Sequence, residues 1–184
     1  MRPITSFHRL AAATAAFLAA HYPAGAAAPR EAKPAGDAAL QVIVDVPPAW
    51  SPFLEDDVAE AFAYRLQETF RRQGFVGSVA HVHRLDEPVA QVPVIEIQLT
   101  EWRIDRAGQA LCSFNALLRT PQGEKRLGRV TDSAIFWPSS GGRWGIQRRL
   151  EASDALEDAA ERALRDLYER VAKSDLLPGA KLKR

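Results

Sequence analysis

The sequence predicts an α+β fold: a mostly antiparallel sheet of about five strands with two helices on one face, in the order β-α-β-β-β-β-α. Three observations carry this. Apolar residues recur at helical spacing in two stripes, Val58, Phe62, Leu66, Phe70 and later Leu156, Ala160, Leu164, Leu167, Val171. Between the stripes the apolar residues alternate, as on a strand with one buried face. The strand-like segments there are joined by short turn-forming links, which suits antiparallel neighbours.

The first 28 residues read as an export signal. Arg2, His8 and Arg9 make a basic start, Leu10 to Ala20 are nearly all apolar, and Ala24 to Ala28 offer small residues for cleavage near Ala26 to Ala28. That layout is a secretory leader, and the apolar run is short of the ~20 residues a membrane span requires. The alternative is a buried Ala-rich helix. No cysteine lies here, so the usual bacterial lipid attachment is not expected. Residues 29–39 are rich in Ala and Pro without periodicity, and read as a flexible linker. Residues 40–173 form one α+β domain, and 174–184, with Pro178, Gly179 and a basic end, are expected to be a disordered tail. The expected location is periplasmic or secreted.

Within the domain, QVIVDV (41–46) is short and β-branched, and Pro47-Pro48 closes it. It reads as a central strand, apolar on both faces but for Asp45. Ser51 and Pro52 open a helix as cap and first residue. Glu55, Asp56 and Asp57 suit the positive end of its dipole, and Gly74 supplies a left-handed stop. Residues 76–85 are a second extended piece, paired in parallel with the first through a right-handed crossover. Residues 94–104 form a long strand on which Ile95, Ile97 and Leu99 share one parity, while Trp102 and Ile104 take the other. That phase change implies a bulge or strong twist near Thr100. Residues 106–109 make a hairpin link, and Ala110, Cys112, Phe114, Ala116 and Leu118 alternate on the next strand. Thr120-Pro121-Gln122-Gly123 fits a type I turn. The strand at 127–137 is more polar, with charges that suit a sheet edge. The second helix is expected from about Asp154 to Lys173. Its acid-first pairs, Asp158 with Arg162, Glu161 with Arg165, Asp166 with Arg170 and Glu169 with Lys173, read as a solvated outer face.

Composition excludes several classes. Residues 1–28 hold two of the 24 basic residues and no acid, so the remainder carries 22 against 23 acidic residues. A net charge near −1 provides no field for nucleic acid. Cys112 is the only cysteine, so neither an internal disulfide nor a cysteine-based zinc site can form. It sits in an apolar alternation, where it reads as a small core residue rather than a nucleophile. No cofactor is expected.

Three groups are candidate sites. His81 and His83, two apart on a strand, point the same way. They could hold a metal, but no third ligand is obvious and Asp86 and Glu87 lie past the strand end; the alternative is two surface histidines. The loop SSGGRWGIQRR (139–149) is the most unusual stretch. Its glycines free the backbone, Arg143, Arg148 and Arg149 are donors, and Trp144 offers a flat apolar face for a phosphate-bearing headgroup or an acidic strand. It lacks the pattern of a nucleotide-binding loop, and the plainer reading is a flexible connection. Glu96, Glu101 and Asp105 lie on one strand, and four residues put the last two ~13 Å apart, too far for an acid–base pair. No serine elbow is present.

The stretch LQETFRRQGFVGSVAHVHR, followed by VIEIQLTEWRIDRAGQALCSFNALLRTPQGEKRLG, resembles the α+β domain of auxiliary lipoproteins of ABC-type transporters in the bacterial envelope. Lipopolysaccharide-assembly lipoproteins are similar in layout. The resemblance covers about residues 40 to 173 and rests on element order: a helix closed by a Gly-Phe turn, a strand, a long strand into a hairpin, and a closing helix. It implies an envelope protein that binds partners or lipid and has no catalytic residues. The family's acylated cysteine is absent, and no functional residue carries over. The sequence therefore points to a non-enzymatic exported accessory protein acting through contacts with an envelope protein or an amphiphilic ligand. The alternatives are a small secreted metal-assisted hydrolase using His81 and His83, or a subunit of a ring or filament built by sheet-edge pairing.

Overall fold

The computed structural model describes residues 39–47, 55–136 and 145–182, the stretch 145–150 by its backbone alone. The elements follow the expected order: β1 (Leu40–Asp45), α1 (Glu55–Gln73), β2 (Val79–His81), β3 (Val94–Ile104), β4 (Gln109–Thr120), β5 (Gly123–Ile135) and α2 (Gly145–Ala172). The leader of residues 1–28, the linker up to Asp37 and Ala38, and the capping pair Ser51 and Pro52 lie outside the described residues.

The strands form one sheet in the order β2-β1-β3-β4-β5. β1 runs parallel to both neighbours, whereas β3–β4 and β4–β5 are antiparallel. The sheet is thus mixed, with a second parallel ladder, β1–β3, that the sequence did not reveal. Since β1 lies between β2 and β3, the link from β2 to β3 must pass over β1, and residues 82–93 make it without a helix. They cross the face of β1 opposite the core. Gln41, fully buried on that face, accepts a hydrogen bond from the Val89 N–H at 3.0 Å through its Oε1. A buried polar residue among the apolar residues of β1 thereby holds the crossover down.

α1 ends as its sequence requires. Gly74 takes φ 93°, which only glycine adopts readily. The Gly74 N–H then donates to the Arg71 carbonyl at 3.1 Å and the Phe75 N–H to the Phe70 carbonyl at 2.9 Å. This is a Schellman closure, completed by apolar contact between its outer residues. Here that contact is the edge-to-face pair Phe70–Phe75, 6.2 Å between centroids.

Both helices cover one face of the sheet. Phe62, Leu66 and Phe70 of α1 and Ala160, Leu164, Leu167 and Val171 of α2 are wholly buried against Val42, Ile95, Leu99, Cys112, Phe114 and Val130. Phe62 meets Phe114 and Phe70 meets Tyr168 edge-to-face, at 5.5 and 5.1 Å, an arrangement that adds to simple burial. The expected bulge is present: the β3–β4 register slips between Leu99 and Glu101. Thr100 is the extra residue, and its hydroxyl donates to the Ser113 carbonyl at 2.8 Å. The bulge returns Trp102 and Ile104 to the core side, opposite Cys112 and Ala110. β5 lies at the sheet edge, as its polar sequence predicts.

Two expectations require correction. α2 begins at Gly145, nine residues before Asp154. The expected start marked where the apolar stripe sets in, but the preceding residues contain no helix breaker after Gly145 and continue the helix beyond the core. The chain after α2 is not frayed over residues 174–182. Leu177 is buried, and the Tyr168 hydroxyl donates to the Lys181 carbonyl at 3.0 Å and accepts its N–H at 3.2 Å. Gly179, at φ 92°, lies so close to the Val76 carbonyl that a Cβ would come within 2.9 Å of it. Pro178 and Gly179, which suggested disorder, form the turn that lets the chain dock.

Leu177→Ala is therefore expected to lower unfolding stability by about 2 kcal/mol or more, the ordinary cost of emptying a buried leucine site. Chemical denaturation of the parent and variant measures it; equal midpoints would show that the docked tail adds nothing to stability.

Candidate functional site

A broad concavity lies between α1, the far end of β3 and the early part of α2. It measures about 900 Å³ and is lined by Val58, Ala61, Tyr64, Trp102 and Leu156, with Asp57, Glu60, Arg65, Arg103, Ser153 and Glu157 around it. Sites for drug-sized ligands usually measure about 300–1,000 Å³. Its parts come from separate local causes. Ala61 and Tyr64 fall off the buried stripe of α1, and Tyr64 is half exposed. Trp102 is brought to the floor by the Thr100 bulge. Its indole N–H donates to the Leu156 carbonyl at 2.9 Å, and its ring stands edge-to-face on Phe62 at 5.5 Å. The floor is fixed from both sides.

Charge frames this groove. Arg65 of α1 pairs with Glu157 of α2 and lies 3.6 Å from Glu68. The chain of charges continues from Glu68 to Arg72 at 2.7 Å, Arg72 to Glu161 at 3.2 Å, and Glu161 to Arg165 at 3.3 Å. The seam between the helices is therefore closed by a network, which holds better than isolated surface pairs. On the rim, Asp57 and Glu60 are exposed.

The candidates read from the sequence fare differently. Arg143 and Trp144 lie outside the described residues. Arg148 and Arg149 are not in a loop: they belong to the first turns of α2. Arg149 lies four residues, one helical turn, before the groove residue Ser153. The extra helical turns thus place these two positions on the element that forms one groove wall.

His81 and His83 do not share a strand face, because β2 ends at His81. His81 sits opposite Val42 and so faces the helices. His83 lies beyond, its Nε2 2.9 Å from Asp56 Oδ1. The acids that line the same crevice are Glu55 and Asp56 from α1, not Asp86 and Glu87; sequence distance concealed them. The shared crevice is only about 10 Å³, the room of one water. Arg84 occupies the same crevice, 3.5 Å from Asp45 and 3.8 Å from Glu55. Among the described residues no cluster of three or more metal-ligating side chains is present.

Glu96 and Glu101 of β3 and Asp105 just beyond it each have a separate structural task. Glu96 pairs with Arg119 and Glu101 with Arg103. Asp105 accepts the Ala107 and Gln109 N–H groups at 2.8 and 2.9 Å and so shapes the β3–β4 turn. Cys112 is buried, and burial, with the Asp132 charge nearby, pushes its thiol up to about 12. The pairs of α2 are not simply a solvated face. Arg162 donates to the Ser133 carbonyl at 3.2 Å, while Arg170 holds Asp166 and reaches β5. Among the described residues no helix is long and apolar enough to cross a membrane.

Two outcomes follow from the buried titrating groups. In native protein at pH 8, Cys112 is expected to resist a thiol reagent and to react fully once unfolded, since the thiolate is the reactive form. Labelling of folded protein at the unfolded rate would contradict the core placement. His81 has its pKa lowered below 6.5, chiefly by burial; His83 acts in the same sense, and Glu60 and Asp56 oppose. The unfolded chain then takes up the proton first as pH falls below 6.5, so stability declines there and levels off below the folded pKa. His81→Gln is expected to flatten that decline in urea melts at pH 7.5 and 5.5. An unchanged slope would assign the dependence to other groups.

No family model matches the chain, and no curated protein does. Among solved structures, a DUF330-family protein from Xanthomonas campestris is 12% identical, with 75% of this chain and 88% of that one covered, at a TM-score of 0.46. A PelC dodecamer from Paraburkholderia phytofirmans is 14% identical over 69% and 85%, at 0.44. A minor lipoprotein from Acinetobacter baumannii is 13% identical over 77% and 96%, at 0.31.

Proposed function

We propose that this chain is a non-enzymatic, exported accessory protein of the bacterial cell envelope, acting in transport or assembly by holding an amphipathic segment of another envelope protein. The single observation that supports this is the groove floored by Trp102 and walled by α1 and α2. Its lining is apolar at Val58, Ala61, Tyr64 and Leu156 and carries acidic residues Asp57 and Glu60 at the rim. An amphipathic helix with a basic flank matches both features: its apolar stripe fills the groove and its cations meet the rim. The basic, apolar, small-residue leader supports export. The titratable groups support binding over catalysis: Glu96, Glu101 and Asp105 are each committed to a guanidinium or a turn, and Cys112 is buried.

The test places a photo-crosslinking residue at exposed Tyr64, with a control at Thr131 on the opposite sheet face, in cells expressing the full chain. Protein adducts are expected from position 64 and not from 131. Ala61→Arg, which fills the groove from an exposed position, is expected to reduce them tenfold or more, a loss of about 1.4 kcal/mol. Lipid adducts at position 64 would replace the protein partner with an amphiphile. Equal adducts from both positions, or none from 64, would overturn the groove as the contact surface.

A further inference from the structure

β5 is a 13-residue edge strand, and a long edge is a template for pairing with another strand. Past the register shift at Leu127, its outward backbone groups belong to odd-numbered residues. The Phe136 N–H donates to the Gly108 carbonyl at 2.8 Å, which makes the even-numbered residues the bonded partners of β4, and the register Leu111↔Ser133, Ser113↔Thr131 and Asn115↔Arg129 leaves 129, 131 and 133 with their N–H and C=O pointing away from β4. Three carbonyls on this side are already taken. Arg170 Nη1 donates to Leu127 O at 3.0 Å and Arg129 O at 2.8 Å, and Arg162 Nη1 donates to Ser133 O at 3.2 Å. Arg170 is itself held by Asp166, through Nε at 3.3 Å and Nη2 at 2.7 Å. The guanidinium is thus fixed with its remaining donors aimed at the edge, a geometry its rigid fork provides and a lysine does not.

From this we infer that Arg162 and Arg170 are edge guards. They close a strand edge that otherwise pairs with the same edge of a second copy of this chain, antiparallel and centred on Thr131. An antiparallel edge is self-complementary under a two-fold axis, so residue 129 of one copy would face 133 of the other. The guards occupy the carbonyls on both sides of Thr131, so every such pairing must first displace them. β2 at the opposite edge is only three residues long and offers a strand little to pair with. The sheet is closed at one end by brevity and at the other by two arginines, which weighs against assembly by sheet-edge pairing in the parent protein.

The test compares the full chain with Arg162→Gln/Arg170→Gln by sedimentation velocity over a wide concentration range. Arg165→Gln, which removes equal charge per site from the same helix without touching the edge, is the control. The double variant is expected to approach twice the parent mass as concentration rises, and Arg165→Gln to behave as the parent. Adding Thr131→Pro to the double variant is expected to return the parent mass, since proline removes an outward N–H at the centre of the edge. A folded double variant that keeps the parent mass overturns the inference, as does association that survives Thr131→Pro. Where glutamine at 170 prevents folding, Arg162→Gln/Arg170→Lys keeps the charge beside Asp166 without the fork. It is then expected to associate more than the parent, and parent-like mass in that folded protein likewise overturns the inference.

Discussion

The bulge at Thr100 is the constraint on which the arrangement turns. β3 is 11 residues long, and its apolar residues change parity halfway along. Without an extra residue, either Ile95, Ile97 and Leu99 or Trp102 and Ile104 would face away from the core, because side chains alternate strictly on a regular strand. The bulge absorbs one residue, and the Thr100 hydroxyl holds it to the Ser113 carbonyl. A single strand can then cover both helices. Its first half packs in the buried core and its second half carries Trp102 to the Leu156 carbonyl. The groove floor is a direct result.

The helices are secured to the sheet by different means at different places. At the centre the link is apolar and aromatic, through Phe62, Phe70, Phe114 and Tyr168. Along the seam it is ionic, from Arg65 and Glu157 through Glu68, Arg72 and Glu161. At the edge it is formed by charged donors on backbone carbonyls, which are stronger than neutral hydrogen bonds. α2 takes part in all three. It also receives the chain's last described residues, where the Tyr168 hydroxyl both donates to and accepts from Lys181. This helix is the organising element of the domain, and Ser153, Leu156 and Glu157 on it line the groove.

Much of the fold was legible in the sequence because its signals are local. The four-residue stripe of α1 and its Gly74 stop, the alternation of β4, the bulge at Thr100 and the polar edge at β5 each depend on residues within one element. The candidate site was legible only in part. Arg148 and Arg149 drew attention as unusual, but not as parts of a helix. Tyr64 and Trp102 gave no clear sign, since an exposed aromatic residue off a helical stripe has many uses. The one available cue was that Ala61 and Tyr64 extend the apolar surface of α1 sideways from Val58 of the main stripe.

The sequence by itself determined the α+β class, the element order and the burial of Cys112, because periodicity and turn chemistry act over a few residues. Only the tertiary structure decided what depends on residues far apart in the chain. It made β1 parallel to β3, through a crossover pinned by Gln41. It set His83 against Asp56 of α1, and it directed Arg162 and Arg170 to the β5 edge. It also docked a Pro-Gly tail that looked disordered. In each case the partner comes from another element, and no spacing within a single segment encodes which element will be adjacent once the apolar faces have packed.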